Sequence, residues 1–153
     1  MDKRELRIDY FIWRGSFPSG YENLCRKAIQ ASGKAYSVYS EFSVGAAVLL
    51  ANGEMVSGNN QENVAYPSGI CAERTALFYA GATFPGVSVE ALAIAACFEG
   101  KLCEKAVSPC GACRQVMSEM IRRYKQDFDV IMVGGKETVV VKASDLLPFS
   151  FAI

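Results

Sequence analysis

The chain of 153 residues has no histidine. A mixed Cys/His metal site is thereby excluded, and any bound metal must be held by thiols and carboxylates. Net charge is missing too, because sixteen basic residues cancel sixteen acidic ones, which argues against a nucleic-acid partner. The one basic cluster, Arg122-Arg123 with Lys125, reads as the solvated end of a helix. No apolar run reaches membrane-spanning length, and charge from Asp2 to Arg7 stands where a secretory signal would have its apolar core. No internal repeat and no Pro/Ser/Gly linker divides the chain, so a single domain is expected. The hydrophobic fraction of 51% suits a globular chain, one able to bury roughly 68–70% of its unfolded surface. With no signal segment, the six cysteines read as reduced thiols of a cytoplasmic protein, not as three disulfides.

Three of those thiols form a pattern. Cys110 and Cys113 stand at i and i+3, adjacent on one helical face, and Pro109 is what a helix's first turn tolerates. Both therefore belong at a helix N-terminus, where the dipole and free N–H groups favour thiolate. Cys71 and Glu73 are two apart and share no face inside a helix, so they converge only at a helix mouth, after Pro67-Ser68-Gly69. Three thiolates leave one position of a tetrahedral zinc site open, which is the catalytic arrangement. A closed structural site would need Cys25, Cys97 or Cys103 as a fourth ligand, and none of these forms a ligand pair with another candidate. Glu73 has no purpose in a closed site, which tips the reading toward chemistry.

Apolar residues Tyr21, Leu24, Cys25, Ala28 and Ile29 recur at helical spacing, with a stop at Ser32-Gly33. Residues 44–50 read as a buried strand, Asn52-Gly53 as a hairpin turn and residues 55–59 as the returning strand. A helix over 71–81, a strand over 89–97, a helix over 111–124 and strands over 128–133 and 138–141 complete the pattern. This is an α/β domain over residues 21–153, a mixed sheet of about five strands with helices on its faces. Residues 1–20, with Phe11, Ile12, Trp13 and Phe17 among charges, read as an extension: a strand or an arm on the body. The tail from Asp145 to Ile153 is apolar enough to need cover. By residue type alone, Phe42 reads as a core aromatic, Asn60 and Glu62 as turn polarity, and Arg74 as either a surface residue or a partner of the sulfurs.

Cys71-Ala72-Glu73 followed by Pro109-Cys110-Gly111-Ala112-Cys113 resembles the zinc-dependent cytidine deaminases of the homotetrameric, three-cysteine type. Residues 39–47, YSEFSVGAA, resemble that family's Y-S-x-F-x-V-G-A-A, and residues 60–67, NQENVAYP, its N-x-E-N-x-x-Y-P. The resemblance runs from about Tyr21 to Phe151 and implies a three-layer α/β/α fold with one zinc per subunit on Cys71, Cys110 and Cys113. It implies hydrolytic deamination of cytidine and 2′-deoxycytidine in pyrimidine salvage, by zinc-activated water with Glu73 as proton shuttle. Substrate contacts are implied for Phe42 beside the pyrimidine, Asn60, the Gln61 backbone and Glu62 at the sugar, and the Ala72 N–H at the base carbonyl. Arg74 is implied as a sulfur partner. Phe151 is implied to complete a neighbouring subunit's pocket, although Phe149 stands where the family usually has a small residue. The implied partner set is a nucleoside and three further copies of the chain, with no nucleic acid and no membrane.

Overall fold

Side-chain alternation along two central strands decides the layering of the computed structural model, which describes residues 1–153. In β2 (Phe42–Leu50), Ala46, Val48 and Leu50 point to one core while Ala47 points to the other. In β4 (Val89–Phe98), Leu92 and Ile94 join the first core, and Ala91, Ala93 and Ala95 the second. The period of two makes each strand a divider between layers. The alanine face is shallow, and α1 (Glu22–Ser32) lies close on it through Leu24, Cys25 and Ala28, all fully buried. Closeness is greatest at Gly45, where a Cβ would stand 2.1 Å from the Ala28 carbonyl oxygen. The branched face carries α2 (Ala72–Thr83) and α3 (Gly111–Tyr124), packed through Ala76, Leu77, Met117 and Met120. Each such Leu or Met contributes about 1.5–3 kcal/mol by leaving water.

The sheet has seven strands in the order β1-β7-β6-β4-β2-β3, with β5 paired to β4. β2 and β3 (Met55–Asn59) form the expected hairpin, with Gly53 at φ 84 in its turn. β4 and β6 (Asp129–Val133) run parallel, joined through α3, and β7 (Glu137–Lys142) returns antiparallel. About five strands were expected; β1 (Tyr10–Arg14) and β5 (Lys101–Leu102) are the additions. β5 has two residues, too short to carry a period, and turns back through Glu99 and Gly100, both at positive φ. Of the two alternatives for the first twenty residues, a strand forms at residues 10–14: β1 pairs antiparallel along β7, from Tyr10 opposite Val141 to Arg14 opposite Glu137. Its register is set by contacts more than a hundred residues away in sequence, which no local pattern contains. No helix is long and apolar enough to cross a membrane.

Candidate active site

The two helices on the branched face present their N-termini to one another. Cys71 caps α2 in an extended conformation (φ −73°, ψ 154°), and Cys110 caps α3 likewise (φ −69°, ψ 167°). Pro109 lies just before the cap, two positions ahead of the first helical residue and so outside the first turn, and its carbonyl accepts from Arg114 Nε at 2.9 Å. Cys113 then falls in the first turn of α3 and is fully buried.

The three sulfurs lie within 4.8 Å of one another. Cys71 Sγ is 3.7 Å from Cys110 Sγ, which is 3.6 Å from Cys113 Sγ. A tetrahedral zinc with Zn–S bonds of about 2.3 Å separates its sulfurs by about 3.8 Å, so the residues present fit the ion. No fourth thiol joins them. Cys25 is in the opposite core, and the Cys97 sulfur lies 3.3 Å from Ser32 Oγ. The closed four-thiolate alternative therefore has no ligand to close it.

Charge in the cluster is uneven. The Cys71 thiol is held down to about 5 by a hydrogen bond from the Cys113 thiol, then by Arg74 and Cys110 against its own burial. Cys113 is pushed up by the same shared proton and by burial. These opposite shifts describe one coupled unit, in which the sulfurs share a proton and Arg74 favours the charged form. Arg74 Nη2 reaches Cys71 Sγ at 3.7 Å, and its Nε is buried without a hydrogen-bond partner. Glu73 stands in the first turn of α2, where the dipole would favour its charged form. Burial wins, since the residue is 4% exposed and desolvation raises its carboxyl above the ordinary range.

Beside the cluster opens a cavity of 470 Å³ lined in part by Asn60, Gln61, Glu62, Cys71 and Arg74. Asn60 Oδ1 accepts from Val44 N at 2.8 Å and Nδ2 donates to the Phe42 carbonyl at 2.9 Å. One N–H and one lone pair of that amide stay available. The Gln61 backbone exchanges both hydrogen bonds with Ile70, at 3.0 and 2.9 Å, which leaves only a second lone pair on its carbonyl. The Glu62 carboxylate accepts from Tyr39 N at 2.8 Å, Ser40 N at 3.3 Å and Ser40 Oγ, and these bonds hold it below its ordinary range, the hydroxyl most.

Phe42 begins β2 next to this cavity without lining it, and Phe151 lies elsewhere. The tail folds along α3, with Gln115 Nε2 donating to the Phe151 carbonyl at 3.2 Å and Arg122 to that of Ile153. Phe151 is 73% exposed and Phe149 99%. Residue-by-residue reasoning assigned no role to Tyr39, Ser40, Tyr66 and Ile70, which also line the cavity. The first three sit inside the quoted motifs, so the signal was present, but their contacts across 22–27 residues were not.

A three-thiol centre with an open position, a buried acid and an adjacent polar cavity defines a catalytic zinc protein on an α/β/α scaffold. Residues 18–125 match the model of the cytidine and deoxycytidylate deaminase zinc-binding region. A cytidine deaminase of Halalkalibacterium halodurans is 41% identical over 128 residues, 84% of this chain and 91% of that protein. One from Mycobacterium tuberculosis is 35% identical over 132 residues, covering 82% and 85%. Among solved structures, cytidine deaminase from Burkholderia pseudomallei superposes with a TM-score of 0.72 at 40% identity, covering 84% of this chain and 97% of that one. The chain belongs to the zinc-dependent cytidine and deoxycytidylate deaminase family.

Proposed function

We propose that the protein hydrolyses cytidine and 2′-deoxycytidine to the corresponding uridines and ammonia. The observation that carries this reading is the juxtaposition of three sulfurs at tetrahedral spacing, a buried Glu73 and the polar cavity. Zinc held by Cys71, Cys110 and Cys113 lowers the pKa of a water from 15.7 toward about 7, supplying a nucleophile at neutral pH. Glu73 takes one proton from the attacking water and delivers it to ring N3, then takes the second from the hydroxyl now on C4 and gives it to the departing amino group. Its buried, raised carboxyl suits a group that must both accept and donate. Water oxygen ends on C4 and the exocyclic nitrogen leaves as ammonia.

The Ala72 N–H, in the first turn of α2, has no intrahelical acceptor and is assigned to the base carbonyl. Glu62 and the free half of the Asn60 amide are assigned to the sugar hydroxyls, with Gln61 between them and Phe42 against the pyrimidine. Arg74 offsets the single net negative charge of three thiolates around Zn²⁺. It is also the only cation lining the cavity, and it is engaged with Cys71. No Lys or Arg is left there for a 5′-phosphate, which favours nucleosides over nucleotides.

Residues 21–153 form the catalytic domain in this proposal, and residues 1–20 are an extension whose strand β1 covers the β7 edge. Assembly as a homotetramer, with Phe151 of one chain closing a neighbour's cavity, is supported by the exposure of Phe149, Phe151 and Tyr66. Three thiols that must stay reduced fit the cytoplasm. The test is ammonia release from cytidine, deoxycytidine, cytosine and CMP by zinc-replete protein. Turnover of the two nucleosides alone is expected; equal turnover of cytosine would overturn the sugar reading, and equal turnover of CMP the preference for nucleosides over nucleotides. Light scattering at four times the chain mass is expected; a monomer that turns over at full rate would remove the shared pocket.

A further inference from the structure

The segment leading into β2 is bound to the sugar side of the cavity more heavily than a surface loop needs. Tyr36 N donates to the Asn60 carbonyl at 3.0 Å, and Glu62 N donates to the Tyr36 carbonyl at 2.8 Å. A tight turn follows, closed by Glu41 N donating to the Ser37 carbonyl at 2.9 Å. It leaves Glu41 at φ 56, a left-handed conformation uncommon for a non-glycine residue and kept only where the surroundings determine it. Three donors converge on one carboxylate in that turn: the N–H groups of Tyr39 and Ser40 and the Ser40 hydroxyl. The same hydroxyl oxygen accepts from Phe42 N at 3.1 Å. Ser40 is thus the one side chain that contacts both Glu62 and the backbone of Phe42.

We propose that Ser40 is a positioning residue for substrate: its hydroxyl, itself oriented by the Phe42 N–H, aims the Glu62 carboxylate at the sugar. The proposal rests on the reading of Glu62 as the acceptor of a sugar hydroxyl. A hydroxyl is suited to the task because it donates and accepts at once, bonding the carboxylate with its proton and the Phe42 N–H with a lone pair. A carboxylate with three donors on one side keeps its remaining lone pairs on the other, toward the cavity that Ser40 and Glu62 both line. Without the hydroxyl, Glu62 keeps two backbone donors but loses the strongest restraint on its rotation. Phe42 N then needs water.

The experiment compares kcat/KM for cytidine with that for 2′,3′-dideoxycytidine, which keeps the base and lacks both hydroxyls. Wild type, Ser40→Ala, Ser40→Thr and Glu62→Gln are measured, with zinc content as the check that the centre is intact. Ser40→Ala is expected to lower the preference for cytidine roughly ten- to a hundredfold, the range for a hydrogen bond to a charged group. The change should fall on KM for cytidine, leave dideoxycytidine within about twofold, and be restored by Ser40→Thr, which keeps the hydroxyl. Equal losses on both substrates, or no loss on either, would overturn the positioning role. Glu62→Gln separates the two readings. If it abolishes the preference while Ser40→Ala does not, only the proposal for Ser40 fails; if it leaves the preference intact, the sugar reading of Glu62 fails and takes the proposal with it.

Discussion

Gly58→Ala should perturb the metal centre from β3, by pushing on the first turns of α2. Gly58 lies in β3 beneath the first turns of α2, and its backbone angle is one that alanine adopts freely. An added Cβ would stand 2.6 Å from Ala76 N, 2.9 Å from Thr75 Cβ and 3.0 Å from the Ala72 carbonyl oxygen. Ordinary contact begins at about 3.5 Å, so α2 must withdraw by about 0.9 Å at Ala76. Overpacking of this kind costs about 1–3 kcal/mol. At about 2–4 °C per kcal/mol for a chain of this length, Tm should fall by about 2–12 °C. The same withdrawal carries Cys71 away from Cys110 and Cys113, whose sulfur separations of 3.7 and 3.6 Å have little slack around an ion that tolerates about 0.2 Å. Each 1.4 kcal/mol that reaches the metal weakens zinc about tenfold. Calorimetry gives Tm, and competition with a chromophoric chelator gives the zinc affinity. Gly45→Ala supplies the comparison, with its Cβ 2.1 Å from the Ala28 carbonyl oxygen on the opposite face of the sheet. It should lower Tm while leaving zinc affinity alone. Equal weakening of zinc in both variants would refute the reasoning, because the loss would then follow from general instability and not from the seat of α2.

Glu73→Gln should bind one zinc per chain yet lose about 10²–10⁴-fold in kcat, the range for a positioned proton-transfer group; single-turnover kinetics with metal analysis checks both halves. Thiol titration of the native, zinc-loaded protein should find at most Cys97 and Cys103, since Cys25 is fully buried with its thiol pushed up to about 12. Removing zinc with a chelator should add Cys71 and Cys110, and only denaturant should add Cys25 and Cys113, which are both fully buried. Tyr21 gives a pH signature, its phenol raised from 10.0 to about 12 by burial and then by the 2.8 Å bond to Asp129. The unfolded phenol ionises first, so wild-type stability should fall between pH 10 and pH 12 more steeply than that of Tyr21→Phe. Urea midpoints at the two pH values measure the difference.

Much of the layering was legible because it depends on local period. The helix over 111–124 and the strand over 55–59 stand where spacing placed them, and the hairpin follows from Asn52-Gly53. Cys71 and Cys110 were read as helix-mouth residues from two short-range facts, the two-residue gap to Glu73 and the proline before Cys110; both prove to be caps. β1 was legible only as one of two alternatives, a strand or an arm, because Tyr10-Phe11-Ile12-Trp13 becomes a strand only by finding the free edge of β7. The role of Ser40 was equally hidden: a serine in a turn has many uses, and this one is defined by a carboxylate 22 residues away.

What the sequence determined by itself is therefore the chemistry available: thiols and a carboxylate in place of histidine, two helix starts to carry them, and strands of alanine and branched residues to separate two cores. The tertiary structure alone decided the distances. It brought Cys71 within 3.7 Å of Cys110 across 39 residues, buried Glu73 so that desolvation outweighs the helix dipole, and turned Asn60 and Glu62 from turn residues into the wall of a cavity. The physical reason is range. Dihedral preference, capping and hydrophobic period act over a few residues and can be read in order, whereas sulfur spacing and burial depend on which helices share a face of the sheet.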